Sequence, residues 1–145
     1  MHGITPRDRS RRDEIVTLVQ RLHAARVVHD EQAFLDLFDE NVVMNILGDP
    51  AHLYPFPSRR FGKHEVTDLF KLIEIMFEYA NSEILNLTIE GDRAAMLRKV
   101  DLVHRGSGRS GTVHVANWLD FRGKKIVRID QLTDNAALAP ILGNV

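Results

Sequence analysis

The chain has no cysteine, so disulfides, thiolate catalysis and cysteine-ligated zinc are all excluded. It has no apolar run long enough to span a membrane and no apolar signal-peptide core near its start, so a cytoplasmic location is expected. An excess of either charge is missing too. Lys and Arg number 19 against 20 Asp and Glu, and a net charge of −1 gives no electrostatic reason to expect nucleic acid or an anionic membrane as partner. There is no G-x-S-x-G elbow, and the 7 histidines form neither H-x-H nor H-E-x-x-H. His104 and His114 could meet across a hairpin, but no third ligand is evident. Neither serine catalysis, a metal site nor a cofactor is expected.

What is present describes one soluble domain. The 145 residues are 44% hydrophobic and 27% charged, enough to bury a real core. Met1 to Arg12 is polar and Arg-rich and reads as a frayed arm, which leaves a single domain over 13–145. From Asp13 the spacing of Ile15, Leu18, Val19 and Leu22 predicts a helix with one buried stripe, and His23 and Arg26 lie at its edge. Asp30 can cap a short second helix carrying Phe34, Leu35 and Phe38, and Asn41 to Leu47 reads as a strand. Gly48 to Phe61 holds three prolines with His52, Tyr54 and Phe56, and is expected to be an irregular loop. Its aromatic tips suit a lid over an apolar pocket, with Tyr54 touching the ligand. Val66, Leu69, Phe70, Ile73, Met76 and Phe77 predict a third helix after Gly62.

Four antiparallel strands follow by pattern. Ser82 to Glu90 carries Leu85, Leu87 and Ile89 inward. Asp92 to Asp134 then supplies three β-branched-rich segments joined by turns too short for a helix. The apolar tail after Asp134 is expected to fold back on the domain. Gly106-Ser107-Gly108-Arg109-Ser110-Gly111 matches the dinucleotide fingerprint by letter, but a strand follows where that motif needs a helix, so the glycines serve a turn. Helices set apart from a strongly curved antiparallel sheet make an α+β fold.

The informative residues are polar ones in apolar company. Lys99, Asp101, Asn117 and Gln131 share odd numbering with Leu97, Val103, Val113, Val115, Leu119, Val127 and Ile129, and Asn45 interrupts the first strand. Such groups must be hydrogen-bonded or line a wet cavity, and an inner cavity is the expectation. Lys99 and Asp101, two apart on one strand, would form the working pair, with Asp101 as acid or base. The opposite parity carries Arg98, Val100, Leu102, His104, His114, Ala116, Trp118, Arg128 and Asp130, a mixture that suits a homodimer interface.

Leu-Val-Gln-Arg-Leu in the first helix, Phe-Leu-Asp-Leu-Phe-Asp-Glu-Asn-Val-Val into the first strand, and Phe-Gly-Lys-His-Glu-Val entering the third helix resemble the nuclear-transport-factor-two-like superfamily. So do Lys-Val-Asp-Leu and Gly-Lys-Lys-Ile-Val-Arg-Ile-Asp-Gln-Leu-Thr-Asp in the sheet. The superfamily includes SnoaL-like polyketide cyclases, ketosteroid isomerases and limonene epoxide hydrolase. The resemblance covers about Asp13 to Leu138 and implies a cone, a bent sheet wrapped round helices with an internal pocket. It implies that Leu22 stands where the isomerases have a tyrosine, Asn45 where they have their base, and Asn117 where they have their oxyanion-hole aspartate. An amide cannot shuttle a proton, so steroid isomerisation is not implied. Lys99-Val100-Asp101 matches the hydrolase's Arg-x-Asp, Asn45 is kept, Val43 replaces a tyrosine, and Gln131 replaces the second carboxylate. The expected function is binding of a small, mostly apolar and cyclic molecule, with isomerase, cyclase or hydrolase chemistry on Asp101; the alternative is a non-catalytic binding or dimerisation module.

Overall fold

The computed structural model describes residues 3–48 and 59–143. Helix α1, Pro6–Val27, starts well before Asp13, so the expected frayed arm is helical from Pro6. Its start is built in: the Thr5 hydroxyl accepts from the Asp8 amide, the Asp8 carboxylate accepts from the Thr5 amide, and proline occupies the first turn, where no amide hydrogen is needed. Arg11 then ties the helix down, donating to Asp92 and to the Gly123 carbonyl, both at 2.8 Å. The apolar stripe of Ile15, Leu18, Val19 and Leu22 is buried as expected. Asp30 caps the short helix α2, Glu31–Leu35, by accepting from the Ala33 amide.

Strand β1, Phe38–Leu47, is followed by β2, Arg59–Phe61, a three-residue strand within the stretch expected to be irregular throughout. It exists because Arg59 and Phe61 pair with Asn45 and Val43 of β1. Helix α3, Gly62–Met76, buries Val66, Leu69 and Ile73. Strands β3 (Phe77–Glu90), β4 (Arg93–His104), β5 (Ser110–Arg122) and β6 (Lys125–Thr133) form the expected meander. Asp134 caps helix α4, Asn135–Leu142, which folds the tail back and buries Leu138 and Ile141.

The sheet order is β2-β1-β6-β5-β4-β3, antiparallel except where β1 lies parallel to β6. The sheet is curved and unclosed, with the helices on its inner side: an α+β architecture. Met44, Val100, Val113, Leu119 and Ile129 cover that side and meet Ile15, Val19, Val66 and Leu69 from the helices in one core. Gly111 matters to the tail's docking. A Cβ there would stand 2.9 Å from Cδ1 of Ile141, so the missing side chain is what lets α4 lie on β5.

In β3 the inward set is partly corrected. Leu87 and Ile89 pack on the core as expected, but a register shift between Ile84 and Asn86 takes Leu85 out of the alternation. Ile84 packs inward in its place and Leu85 is 44% exposed.

Candidate site on the inner face of the sheet

Strand pairing decides which polar residues share the hollow. Asn117 faces Gln131 across β5 and β6, and Met96 across β5 and β4. Every β4–β5 pair joins an even-numbered residue of β4 to an odd-numbered one of β5, or the reverse. The inner face therefore carries Ala94, Met96, Arg98, Val100 and Leu102 from β4 with Val113, Val115, Asn117 and Leu119 from β5. The same offset holds between β1 and β6, where Met44 pairs with Ile129 and Asn45 with Asp130.

The expected site residues fall on both faces of the sheet. Asn117 and Gln131 do face the interior. Lys99 and Asp101 do not: they lie on the outer face, Lys99 exposed beside His114, and Asp101 accepting a hydrogen bond from Thr112. Asn45 is on the outer face as well, donating to Asp130 at 2.8 Å. The Asp130 carboxyl has burial working to raise its pKa, but Asn45 and Arg128 outweigh it and hold the group below its usual value. A one-residue change of parity in β1 and β4 turns these side chains over. Conversely Arg98, Val100 and Leu102, expected outside, are inside. Leu22 lines the interior, and Tyr54 lies outside the described residues.

Arg98 organises the interior. Its Nε donates to Oδ1 of Asn117 at 3.0 Å, and Nδ2 of Asn117 donates to Oε1 of Gln131 at 3.0 Å, a polar chain across three strands. Asn117 is 4% exposed, a polar side chain enclosed by core. Among the described residues Arg98 has no carboxylate partner. Burial, and then the charge of Arg26, hold its guanidinium below the usual arginine value, and Tyr79 opposes them. Arg98 and Gln131 line two small cavities of about 40 and 60 Å³, one toward α1 and one toward β3 and α4.

Helix α1 contributes His23 and Arg26, which one turn of helix brings to the same side. Nε2 of His23 lies 3.0 Å from the Ser82 hydroxyl. Burial, and then the charge of Arg98, push this imidazole below its usual pKa, with the Ser82 bond working the other way. Arg26 donates to Tyr79 Oη at 3.0 Å, pairs with Glu74, and sits over the rings of Tyr79, Phe70 and Phe34 at 4.7, 5.1 and 5.7 Å. Beyond it, between α1, α2 and α3, lies a groove of about 330 Å³. Among the described residues no Asp or Glu lines either inner cavity. Sequence reasoning passed over Arg98 because it sits beside a Lys-x-Asp pair that drew attention, and placed His23 only at a helix edge.

The SnoaL-like domain model matches residues 19–129, and the chain belongs to that family. Solved structures agree on the fold. A protein from Bacillus subtilis proposed to be an isomerase is 16% identical with a TM-score of 0.82, covering 93% of this chain and 96% of that one. A nuclear-transport-factor-two-like protein from Burkholderia xenovorans is 19% identical with a TM-score of 0.74, covering 96% and 98%. TerC, co-crystallised with polyporic acid, is 13% identical with a TM-score of 0.75, covering 90% and 98%. No curated protein matches. No helix among the described residues is long and apolar enough to cross a membrane.

Proposed function

We propose that the chain binds a small, mostly apolar, cyclic molecule in the hollow of the sheet through a carbonyl or anionic oxygen, and moves a proton on it as an isomerase or cyclase of the SnoaL-like type. The observation that carries this reading is Arg98. A half-buried guanidinium lined by Met96, Leu119 and Ile129, with no carboxylate partner among the described residues, has unmet demand for negative charge, which a ligand oxygen supplies. Asn117 fixes its plane, and Gln131 offers an amide beside it. TerC, of the same fold, was co-crystallised with an acid, the kind of ligand such a residue takes.

The proton-moving group in this reading is His23, not Asp101. It lines the inner cavity with Arg98, and its lowered pKa keeps it neutral and basic near pH 7. The second reading is a binding module without catalysis, favoured by the lack of any carboxylate among the described cavity-lining residues. A homodimer through the outer face belongs to the same proposal. Leu97, Trp118, Leu132 and Leu47 are exposed there, and strand pairing groups them about Ala116. A cytoplasmic site of action is proposed with it.

Calorimetry with benzoate and with cyclic ketones tests the assignment. Arg98→Met is expected to weaken binding at least about tenfold, the scale of one charge-assisted hydrogen bond, while Asp101→Asn changes it little. Binding to Arg98→Met at wild-type strength would sink the assignment. Turnover lost in His23→Gln with affinity kept separates enzyme from binder.

A further inference from the structure

We infer that the natural ligand is an elongated aryl or polycyclic acid whose acidic head meets Arg98 and whose body takes the place of the Arg26 guanidinium over Phe34 and Phe70, reaching the groove between α1, α2 and α3. This rests on the reading of Arg98 above and adds the ligand's length and its route. Size supplies the first argument. Inner cavities of about 40 and 60 Å³ admit a single-ring acid at most, and pockets for larger organic ligands start near roughly 300 Å³. The groove, at about 330 Å³, is large enough, but its Arg26 and Lys71 are already paired, with Glu74 and Glu31. Neither space alone accepts an acid with an extended, two-ring body. Together they do.

The second argument is the wall between them. Arg26, Phe34 and Phe70 line both the groove and the inner cavity toward α1, so these three side chains are the partition. Two are rings packed edge to face with centroids 4.6 Å apart, over which a ligand ring can lie. The third is a flexible side chain whose ion-pair partner, Glu74, lines the groove and not the inner cavity. Swinging the Arg26 guanidinium outward gives up its bond to Tyr79 while Glu74 still neutralises it. His29, whose Nδ1 lies 3.0 Å from Glu74, holds that carboxylate on the groove side. A ligand body replacing the guanidinium over Phe34 and Phe70 exchanges cation–π contacts for ring-on-ring contacts. Ala25, Leu35 and Ile75 give the groove an apolar stretch that suits a hydrocarbon tail, beside the polar Asp30, Glu31, Thr67 and Lys71.

The test uses the full chain and two probes: benzoate, which reaches only Arg98, and biphenyl-4-carboxylate, which must also cross the partition. Wild type is expected to bind the biphenyl probe at least about tenfold more tightly, from the second ring's burial. Thr67→Trp, which plugs the groove from α3, is expected to remove that advantage and leave benzoate within about twofold. Ile75→Trp, at an exposed position on the same wall, repeats the experiment if the first variant loses helicity. If benzoate binds in an Arg98-dependent way but the plug leaves biphenyl-4-carboxylate unaffected, the elongated ligand is wrong and the Arg98 site stands. If Arg98→Met leaves both probes unchanged, or neither probe binds wild type, the site and the inference fall together.

Discussion

Arg98 and Lys99 are adjacent in the chain and carry the same charge, yet they occupy opposite faces of one strand. Lys99 is solvated beside His114, and its charge has high-dielectric water to neutralise it. Arg98 is half-buried beside core side chains and linked through Asn117 to Gln131. The same contrast runs along the whole sheet. Outside, charges meet charges: Arg93 with Asp120 at 2.6 Å, and Arg128 with Asp130 at 3.2 Å. Inside, polar groups meet amides, a hydroxyl and a cavity. Residue type alone therefore says little here; the partner a side chain is denied says more.

The comparison breaks most visibly at Leu119 and its neighbour Trp118. Leu119 is 1% exposed on the inner face, and Leu119→Ala is expected to cost about 2–5 kcal/mol of unfolding free energy through the cavity left behind. Trp118 is 37% exposed on the outer face, and Trp118→Ala is expected to cost about 1 kcal/mol or less in the single chain. Urea denaturation at one low protein concentration measures both, because self-association would add a concentration-dependent term. Equal losses would mean the outer face is as closely packed as the core.

A smaller contrast sharpens the polar half. Asn117→Ala leaves Arg98 Nε and Gln131 Oε1 without their mutual partner inside the core, and is expected to cost about 1–3 kcal/mol. Asp101→Ala removes a bond to Thr112 at the surface and is expected to stay within about 0.5 kcal/mol. Thermal melts of the two variants, compared at the same temperature, decide this. A large loss on Asp101→Ala would return that carboxylate to the structural centre that its sequence context suggested.

Most of the architecture was legible in the residues. The periods of 15-18-19-22 and 66-69-73 marked the helices, and the short turns of the last third marked the meander. Parity in β5 was legible too, since Val113, Val115, Asn117 and Leu119 alternate with Thr112, His114, Ala116 and Trp118; in β6 it held at Ile129 but not at Val127, where a register shift puts Ile126 in the core instead. It failed in β4, which is apolar on both faces: Leu97 and Val103 flank Lys99 and Asp101, while Met96, Val100 and Leu102 flank Arg98. Only the pairing of Met96 with Asn117 settles the choice, and pairing depends on the turn between Arg105 and Arg109. There the His104 amide donates to the Arg109 carbonyl at 2.7 Å and Gly108 takes a positive φ, details that a glycine-rich string does not encode. β1 failed for a related reason. Its parallel partner β6 is far away in sequence, so no local turn fixes whether Asn45 or Met44 looks inward. Tyr54 and the expected lid remain with the stretch outside the described residues.

The smallest effect separates the faces by pH. His23 packs against Ser82 on β3 and faces Arg98 on β4, with Arg26 close by on its own helix, so its charged form is disfavoured by burial first and by the arginine second. Its pKa in the fold lies below the value of 6.5 that it has when solvated. The unfolded chain therefore binds the proton more readily. Stability from this group is complete above that solvated value and is lost as pH falls from there toward the folded pKa. His23→Gln, which keeps a group able to bond Ser82, is expected to flatten that part of the curve while leaving stability at pH 8 nearly unchanged. His114→Gln, on the outer face beside Lys99, is expected to preserve the slope. Urea midpoints from pH 8 down to pH 5 measure all three proteins. If the His23→Gln curve kept the full acid slope, the imidazole would have to be solvated in the fold, and the inner face would lose the neutral base that the described residues offer beside Arg98.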